Sequence, residues 1–207
     1  DSSGNGNNFG VSGISVASGA NNDMCKDSPS NSNGSADTGV GGQVISNYCV
    51  LNRNDKNTSM AITNGSLDVQ GQSSSWAKIK GTMAMSSGKW YWEYFCNGNN
   101  KHVVGIGPLD MQWDGYLGQD SSSSPTSYGY AAVDGKKYSG GSQTSYGSTW
   151  GNGDTIGIAF DADNGTLTFY RNGTSQGTAF TGLNNGPYLP VVSMYTTSSS
   201  GRINFGQ

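Results

Sequence analysis

Short runs of alternating apolar and polar residues, separated by turn-forming residues, occupy the carboxy-terminal two-thirds of the chain. Ile156, Ile158 and Phe160 alternate with small residues. Leu167 and Phe169 resume the alternation after a polar turn. A period of two places successive side chains on opposite faces of a strand. No segment sustains the period of an amphipathic helix, so the pattern predicts an all-β fold of antiparallel strands, with a three-stranded meander around these residues.

The same pattern predicts further strands at residues 44–51, 66–69, 76–79, 89–95, 128–130, 136–138, 189–195 and 202–205. The polar run 52–57 predicts a turn after the first of them. Residues 172–173, Asn-Gly, predict a hairpin turn because both tolerate positive φ. Trp76, Trp90 and Trp92 fall within predicted strands, and we expect their side chains in the core.

The amino-terminal segment differs in composition from the rest of the chain. Residues 1–42 are rich in Gly, Ser, Asn and Asp, with Phe9 as the only aromatic residue. Such a segment buries too little apolar surface to fold alone. We therefore expect an extended, loop-rich arm that packs on the following domain or on a neighbouring chain. Residues 43–207 are expected to form one principal domain, with 5 Trp, 11 Tyr and 6 Phe in the whole chain to fill its core.

Charge and cysteine content exclude several classes of function. Charged residues make up 12% of the chain and the formal net charge is −3, which offers no basic field for a phosphate backbone. We therefore expect no nucleic-acid partner. The chain has no apolar run long enough to span a bilayer, so membrane insertion is not expected. The three cysteines form no C-x-x-C pair that would indicate zinc, and their odd number favours folding under reducing conditions.

Four motifs resemble, in order, those of SPRY domains: SGKWYWE at 87–93, VGIG at 104–107, GDTIGIAFD at 153–161 and GTLTFYRNG at 165–173. The resemblance continues through GTAF at 177–180, PYLP at 187–190 and INFG at 203–206, and it covers about residues 60–207. It implies a concanavalin-like jelly roll of SPRY type, in which two antiparallel sheets form a β-sandwich. Loops at one edge would bind a protein or a glycan, and no catalysis is implied.

The form of these motifs, together with DSSGNGNNF at residues 1–9, is similar to structural proteins of tailed bacteriophages. This resemblance implies a virion module of a tail fibre, spike or capsid decoration, assembled in the host cytoplasm. Its partners would be a host-surface glycan, another virion protein, or copies of itself in a homo-oligomer. A purely architectural subunit without a ligand is the alternative, and a polysaccharide-degrading enzyme is the third hypothesis.

Aromatic residues in loop-like surroundings are the candidate binding residues. Trp113 and Tyr116 lie close in sequence to Asp110 and Asp114. Flat rings beside carboxylates suit stacking on a sugar or filling a partner's pocket. The alternative is that both rings cap the edge of the sandwich. Tyr146, which the pattern leaves undecided between core and surface, completes the candidate set.

No residue is predicted to be catalytic. Glu93 is the only glutamate and has no acidic partner at positions 91 or 95, as a retaining glycosidase would need. We expect it to be a strand residue satisfied at the sheet surface. His102 is the only histidine; no nucleophile elbow accompanies it, and we expect it in a surface loop.

Two oxygen-rich clusters are considered as candidate calcium-binding sites. Asp161 and Asp163 resemble the start of a calcium loop, but the glutamate that completes an EF-hand loop is absent. A hairpin turn is the preferred interpretation, with calcium as the weaker alternative. The second cluster is interpreted as a solvated turn and comprises Asp1, Asn5, Asn7 and Asn8. No other cofactor is expected.

Overall fold

The computed structural model describes residues 49–119, 126–195 and 197–206. Within them the chain forms fourteen strands and one short 3-10 turn, Asn64–Ser66. In chain order the strands are β1 (Leu51–Lys56), β2 (Met60–Thr63), β3 (Asp68–Gly71), β4 (Trp76–Gly81), β5 (Lys89–Gly98), β6 (His102–Pro108), β7 (Tyr128–Ala131), β8 (Lys136–Ser139), β9 (Ser142–Ser145), β10 (Thr155–Asp161), β11 (Thr166–Arg171), β12 (Thr174–Phe180), β13 (Tyr188–Tyr195) and β14 (Ser199–Asn204). The predicted arm and residues 43–48 lie outside the described residues.

The strands pair antiparallel in two sheets of seven. Sheet A has the order β1-β4-β13-β6-β7-β8-β9, and sheet B has the order β12-β11-β10-β5-β14-β3-β2. The two-sheet antiparallel sandwich is confirmed. Strands β10, β11 and β12 are sequential neighbours in sheet B, which confirms the meander.

The predicted apolar alternation faces the space between the sheets. Ile156, Ile158, Leu167 and Phe169 are fully buried, and Phe160 is 1% exposed. Complete burial of a side chain of this size contributes about 1.5–3 kcal/mol. The meander packs on buried residues of sheet A that include Val104, Ile106, Tyr130, Val192 and Met194.

Several local predictions are wrong. Residues 52–56 lie in strand β1, not in a turn, because β4 supplies backbone partners and an edge strand tolerates polar side chains. Residues 142–145, for which no strand was predicted, pair with β8 as the edge strand β9. Trp90 is 38% exposed, since it lies near the start of β5, where its indole N–H donates to the Ser87 carbonyl oxygen at 2.7 Å. Trp92, two residues further on, is buried as predicted.

Sheet A is covered on both faces. Its outer face carries a second apolar cluster, and the segment 109–119 that follows β6 closes over it. Met111 and Leu117 are the buried anchors of this segment, at 2% and 0% exposure. Gly107 makes room for the first anchor, because a Cβ at that position would lie 2.7 Å from Met111 Sδ. On the sheet side the cluster comprises Val103, Ala131, Tyr138 and Val191, with Trp76 packed against it.

His102 is buried at the start of β6, and its predicted place in a surface loop is wrong. The side chain is 1% exposed, and its Nδ1 shares a hydrogen bond of 2.9 Å with Tyr94 Oη. Its ring centroid lies 6.2 Å from that of Trp150. A polar group can be buried when it is hydrogen-bonded. Burial lowers the pKa of His102 to about 4, and the nearby Asn99 backbone opposes this shift in part.

We predict that the free energy of unfolding falls as the pH is lowered from about 6.5 towards 4. In this interval the unfolded chain binds a proton at His102 that the folded chain excludes, because the pKa is lowered on folding from 6.5 to about 4. The loss can reach ~3 kcal/mol. Urea unfolding at about pH 7 and about pH 5 measures it.

The control for this experiment is His102→Gln, which should unfold with nearly the same free energy at both pH values. The carboxylates with a lowered pKa are Asp68, Asp154 and Asp161; they lower the stability only below about pH 5, where the unfolded chain begins to protonate them, so they hardly affect a comparison of pH 7 with pH 5. An equal decline in both proteins would show that His102 is not its cause.

Candidate functional site

The segment that covers the outer face of sheet A carries four of the five predicted binding residues. We call residues 109–116 the Trp113 loop. The Lys78 backbone N–H donates to the Trp113 carbonyl oxygen at 2.9 Å, and Ala77 and Asp114 form an antiparallel bridge. The loop is thereby hydrogen-bonded to strand β4.

An ion pair between Lys80 and Asp55 lies beneath the Trp113 loop and contacts it. The Lys80 side chain is 2% exposed, and its ammonium group lies 3.3 Å from Asp55 Oδ1. The same group donates to the Leu109 carbonyl oxygen at 2.5 Å. The Trp113 indole N–H donates to Asp55 Oδ1 at 2.6 Å, and a hydrogen bond to a carboxylate is stronger than one between neutral groups. Side chains of β1 and β4 therefore fix the position of the indole ring.

The upper surface of the loop is open. Leu109 is 50% exposed and Trp113 is 45% exposed, and the neighbouring Asp110 and Gln112 are exposed as well. These side chains border a depression of about 160 Å³ above the ion pair of Lys80 and Asp55. An indole and an aliphatic side chain that are held in place yet exposed have the character of an interface hot spot.

Asp114 and Tyr116 are tied more firmly to the domain. Asp114 Oδ1 accepts a hydrogen bond of 2.6 Å from Asn57 Nδ2. The half-buried Tyr116 ring packs edge-on against Trp76 and Tyr138, with centroid distances of 5.7 and 5.4 Å. Both residues support the loop more than they extend its open surface.

Tyr146 contacts a different part of the domain. Its ring packs on Tyr130 and Phe169, with centroid distances of 5.2 and 6.0 Å. Its hydroxyl donates to the Gly177 carbonyl oxygen and accepts a hydrogen bond of 3.3 Å from the Phe169 backbone N–H. The structure does not bring Tyr146 together with the Trp113 loop.

The two acidic residues of the calcium alternative organise a hairpin turn. Asp161 accepts hydrogen bonds from the Asn164 backbone and side chain at 3.0 and 2.8 Å, which lower its pKa together with Lys89 at 3.4 Å. Asp163 Oδ1 accepts a hydrogen bond of 2.7 Å from the Gly88 backbone N–H. Among the residues that the structure describes, no cluster of three His, Cys, Asp or Glu side chains could hold a metal ion. The cluster at residues 1–8 lies outside that part of the chain.

The outer face of sheet B is an aromatic surface that the sequence reasoning missed. Tyr91 and Phe95 are 54% and 43% exposed there. Glu93 lies between them and accepts a hydrogen bond of 2.8 Å from the Tyr91 hydroxyl, the surface position that we expected for it. A groove of about 340 Å³ runs beside Phe95, bordered by the paired Arg202 and Asp68. Strand β5 carries aromatic residues on both faces, so alternation alone could not show which of them are exposed.

The fold and the loop surface define an all-β sandwich of the binding-module type. Residues 89–207, more than half of the chain, match the family model described as the SPRY domain. The chain belongs to the SPRY domain family, as its motifs predicted. SPRY domains are protein–protein interaction modules and are generally non-catalytic.

Solved SPRY structures share this fold. The SPRY domain of human HERC1 superposes with a TM-score of 0.66 at 21% identity, over 76% of this chain and 98% of that one. A second human SPRY domain gives a TM-score of 0.59 at 19% identity, over 72% of this chain and 97% of that one. At these identities the likeness shows the fold alone.

The chain spans only part of the length of the curated relatives that it matches. SPRY domain-containing SOCS box protein 3 of Xenopus tropicalis is 31% identical over 137 residues, which are 61% of this chain and 37% of that protein. The probable ATP-dependent RNA helicase ddx1 of Dictyostelium discoideum is 33% identical over 131 residues, 63% of this chain and 16% of that protein. The chain thus spans about a third of the first relative and a sixth of the second. Neither is a bacteriophage protein. In the described part of this chain no helix is long and apolar enough to cross a membrane.

We predict that Lys80→Met destabilises the domain by about 1–3 kcal/mol. The substitution leaves Asp55 beside an apolar side chain and removes the donor to the Leu109 carbonyl oxygen. Breaking a fully buried pair costs about 3–5 kcal/mol, and the smaller figure reflects the 29% exposure of Asp55. Urea unfolding measures the loss.

The matched control is Lys136→Met, which removes an ion pair with Asp134 of the same 3.3 Å length. Both side chains of this pair are partly exposed, at 39% and 25%, so the expected loss is below about 1 kcal/mol. Equal losses in the two variants would show that the pair beneath the Trp113 loop has no special role.

Proposed function

We propose that this chain is a recognition module that binds a partner protein through the Trp113 loop. The observation that carries the proposal is the exposure of Leu109 and Trp113 on a loop held by hydrogen bonds to β4 and Asp55. A partner could bury both side chains without first ordering the loop. Association then avoids part of the entropy loss that a flexible loop would impose. Membership of a family of protein–protein interaction modules supports a protein as the partner.

The loop also has the composition of an interface centre. Tryptophan is enriched among the residues that dominate binding energies, and such residues work best when surrounding groups exclude water. The polar side chains of Asp110 and Gln112 adjoin the apolar pair and would form the rim. Their backbone is anchored on the inner side by the buried Met111.

The virion location and the homo-oligomer remain predictions. They come from the form of the SPRY motifs together with the amino-terminal segment, and that segment lies outside the described residues. If the virion prediction is right, the partner is another virion protein, and mass spectrometry of purified particles should detect the chain. Light scattering of the purified chain tests the oligomer.

Selection from a displayed random-peptide library, with the full chain as bait, tests the proposed function. We predict that selected peptides bind Trp113→Ala at least about 30-fold more weakly than the parent chain, which is the effect of losing a hot-spot residue of about 2 kcal/mol. Fluorescence anisotropy with labelled synthetic peptides gives the dissociation constants.

The matched control is Tyr91→Ala, because Tyr91 is 54% exposed on the outer face of the other sheet. This variant should keep the affinity of the parent chain. Peptides that bind Trp113→Ala and the parent chain equally well would contradict the proposal. If no peptide is selected but a glycan array shows binding that Trp113→Ala loses, the surface recognises a sugar and the proposal is also wrong.

A further inference from the structure

We infer that the Trp113 loop receives a basic side chain, Arg or Lys, from its partner. The inference rests on the proposed function and names the chemistry of the residue that the depression recognises. It follows from three features of the loop: the charges at the depression, the state of the indole ring, and the aliphatic side chain beside it.

The exposed charge at the depression is negative. Asp110 is exposed and lines the depression, and the carboxylate of Asp114 lies further along the loop. The nearest cation, Lys80, is buried below and directed at Asp55 and the Leu109 carbonyl oxygen, so its charge is compensated within the fold. On β1, the half-buried Lys56 ammonium points to the Asn57 carbonyl oxygen at 3.3 Å. A cation from a partner is therefore the complementary charge.

The indole ring of Trp113 is prepared to bind a cation. Its N–H donates to Asp55 Oδ1 at 2.6 Å, and this charge-assisted hydrogen bond holds the ring in place beside a carboxylate. Tryptophan is the best of the aromatic side chains for a cation over its face. Within the described ranges, lysine ammonium groups lie over the rings of Tyr195 and Phe180, but none lies over Trp113.

Leu109 provides an apolar surface for the aliphatic part of a long basic side chain. It is 50% exposed and borders the same depression as Trp113 and Asp110. Arg and Lys carry an aliphatic stem that packs on apolar surface while the charged end stays at a polar position. A purely apolar side chain would desolvate Asp110 without compensating its charge. A basic side chain would pack its aliphatic stem on Leu109 and compensate the charge of Asp110 with its charged end.

A pair of small probes tests the inference without a known partner. N-acetylarginine amide and N-acetylcitrulline amide have nearly the same shape, but only the first is charged. The chain has 5 Trp, and the indole N–H signal of Trp113 in a proton–nitrogen correlation spectrum is assigned by its absence from Trp113→Phe. We predict that the arginine probe shifts this signal with a dissociation constant about tenfold lower than the citrulline probe, from a cation–π contact and an exposed ion pair of ordinary strength.

Two variants with the same change of charge separate the site from the overall field of the protein. Asp110→Asn should reduce the preference for the arginine probe several-fold. Asp163→Asn changes the charge by the same amount at the hairpin between β10 and β11, where the amide oxygen can still accept the hydrogen bond from Gly88. This control should leave the preference unchanged. Raising the salt concentration should weaken the arginine probe more than the citrulline probe.

Equal affinity for the two probes, or a Trp113 signal that neither probe shifts, would overturn the inference. The peptide selection distinguishes this failure from failure of the proposed function. Selected peptides that need Trp113 but are not enriched in Arg or Lys would leave the proposed function standing and refute the basic side chain. A clear preference for the arginine probe without any Trp113-dependent peptide would support the recognition of a basic group and contradict the proposed function.

Discussion

The need to cover both faces of sheet A determines the shape of the proposed binding surface. Its strands place apolar side chains on both sides, as the neighbouring pairs Val103 with Val104 and Val191 with Val192 show. Sheet B covers one face. The other face would remain an exposed apolar patch if the segment 109–119 did not cross it. The same burial that stabilises the sandwich therefore holds the Trp113 loop in place.

The outward positions of β4 explain how a polar strand can lie beneath this loop. Lys78 and Lys80 alternate with the inward Ala77 and Ile79, and both lysines are buried. A buried charge is strongly unfavourable unless it is paired and hydrogen-bonded. Lys80 meets this condition with Asp55 and with a loop carbonyl oxygen. Since such pairs need good geometry to be tolerated, the ion pair fixes the loop in one position above the strand.

The strands with one apolar face could be predicted from sequence, and the contacts between distant segments could not. The buried faces around Ile156 and Phe169 could be predicted because the residues that alternate with the apolar ones in these two strands are small or polar. The sequence WAKIKG of β4 has the pattern of a half-exposed strand, and only a loop some thirty residues later buries its lysines. His102 follows a polar turn in the sequence, but its hydrogen-bond partner Tyr94 comes from another sheet.

In the candidate site, too, the local residues could be predicted from the sequence and the distant contact could not. Trp113 and Asp110 could be predicted, because an indole among polar and turn-forming residues indicates a loop surface. Asp55 could not, since it precedes Trp113 by 58 residues in a run predicted to be a turn. The sequence near Trp113 shows an aromatic loop residue but not the carboxylate that fixes its ring, because Asp55 is distant in the chain. Preorganisation of the site is thus a tertiary property.

Exposure alone does not distinguish the Trp113 loop from the outer face of sheet B, where Tyr91 is even more exposed. Charge does. On sheet B, Arg202 and Asp68 form a two-point ion pair at 2.6 and 3.0 Å, and Glu93 accepts the hydroxyl of Tyr91. That face satisfies its own polar groups. Asp110 has no ion-pair partner among the described residues, so the Trp113 loop is the surface at which a partner's positive charge would add something that the fold does not already supply.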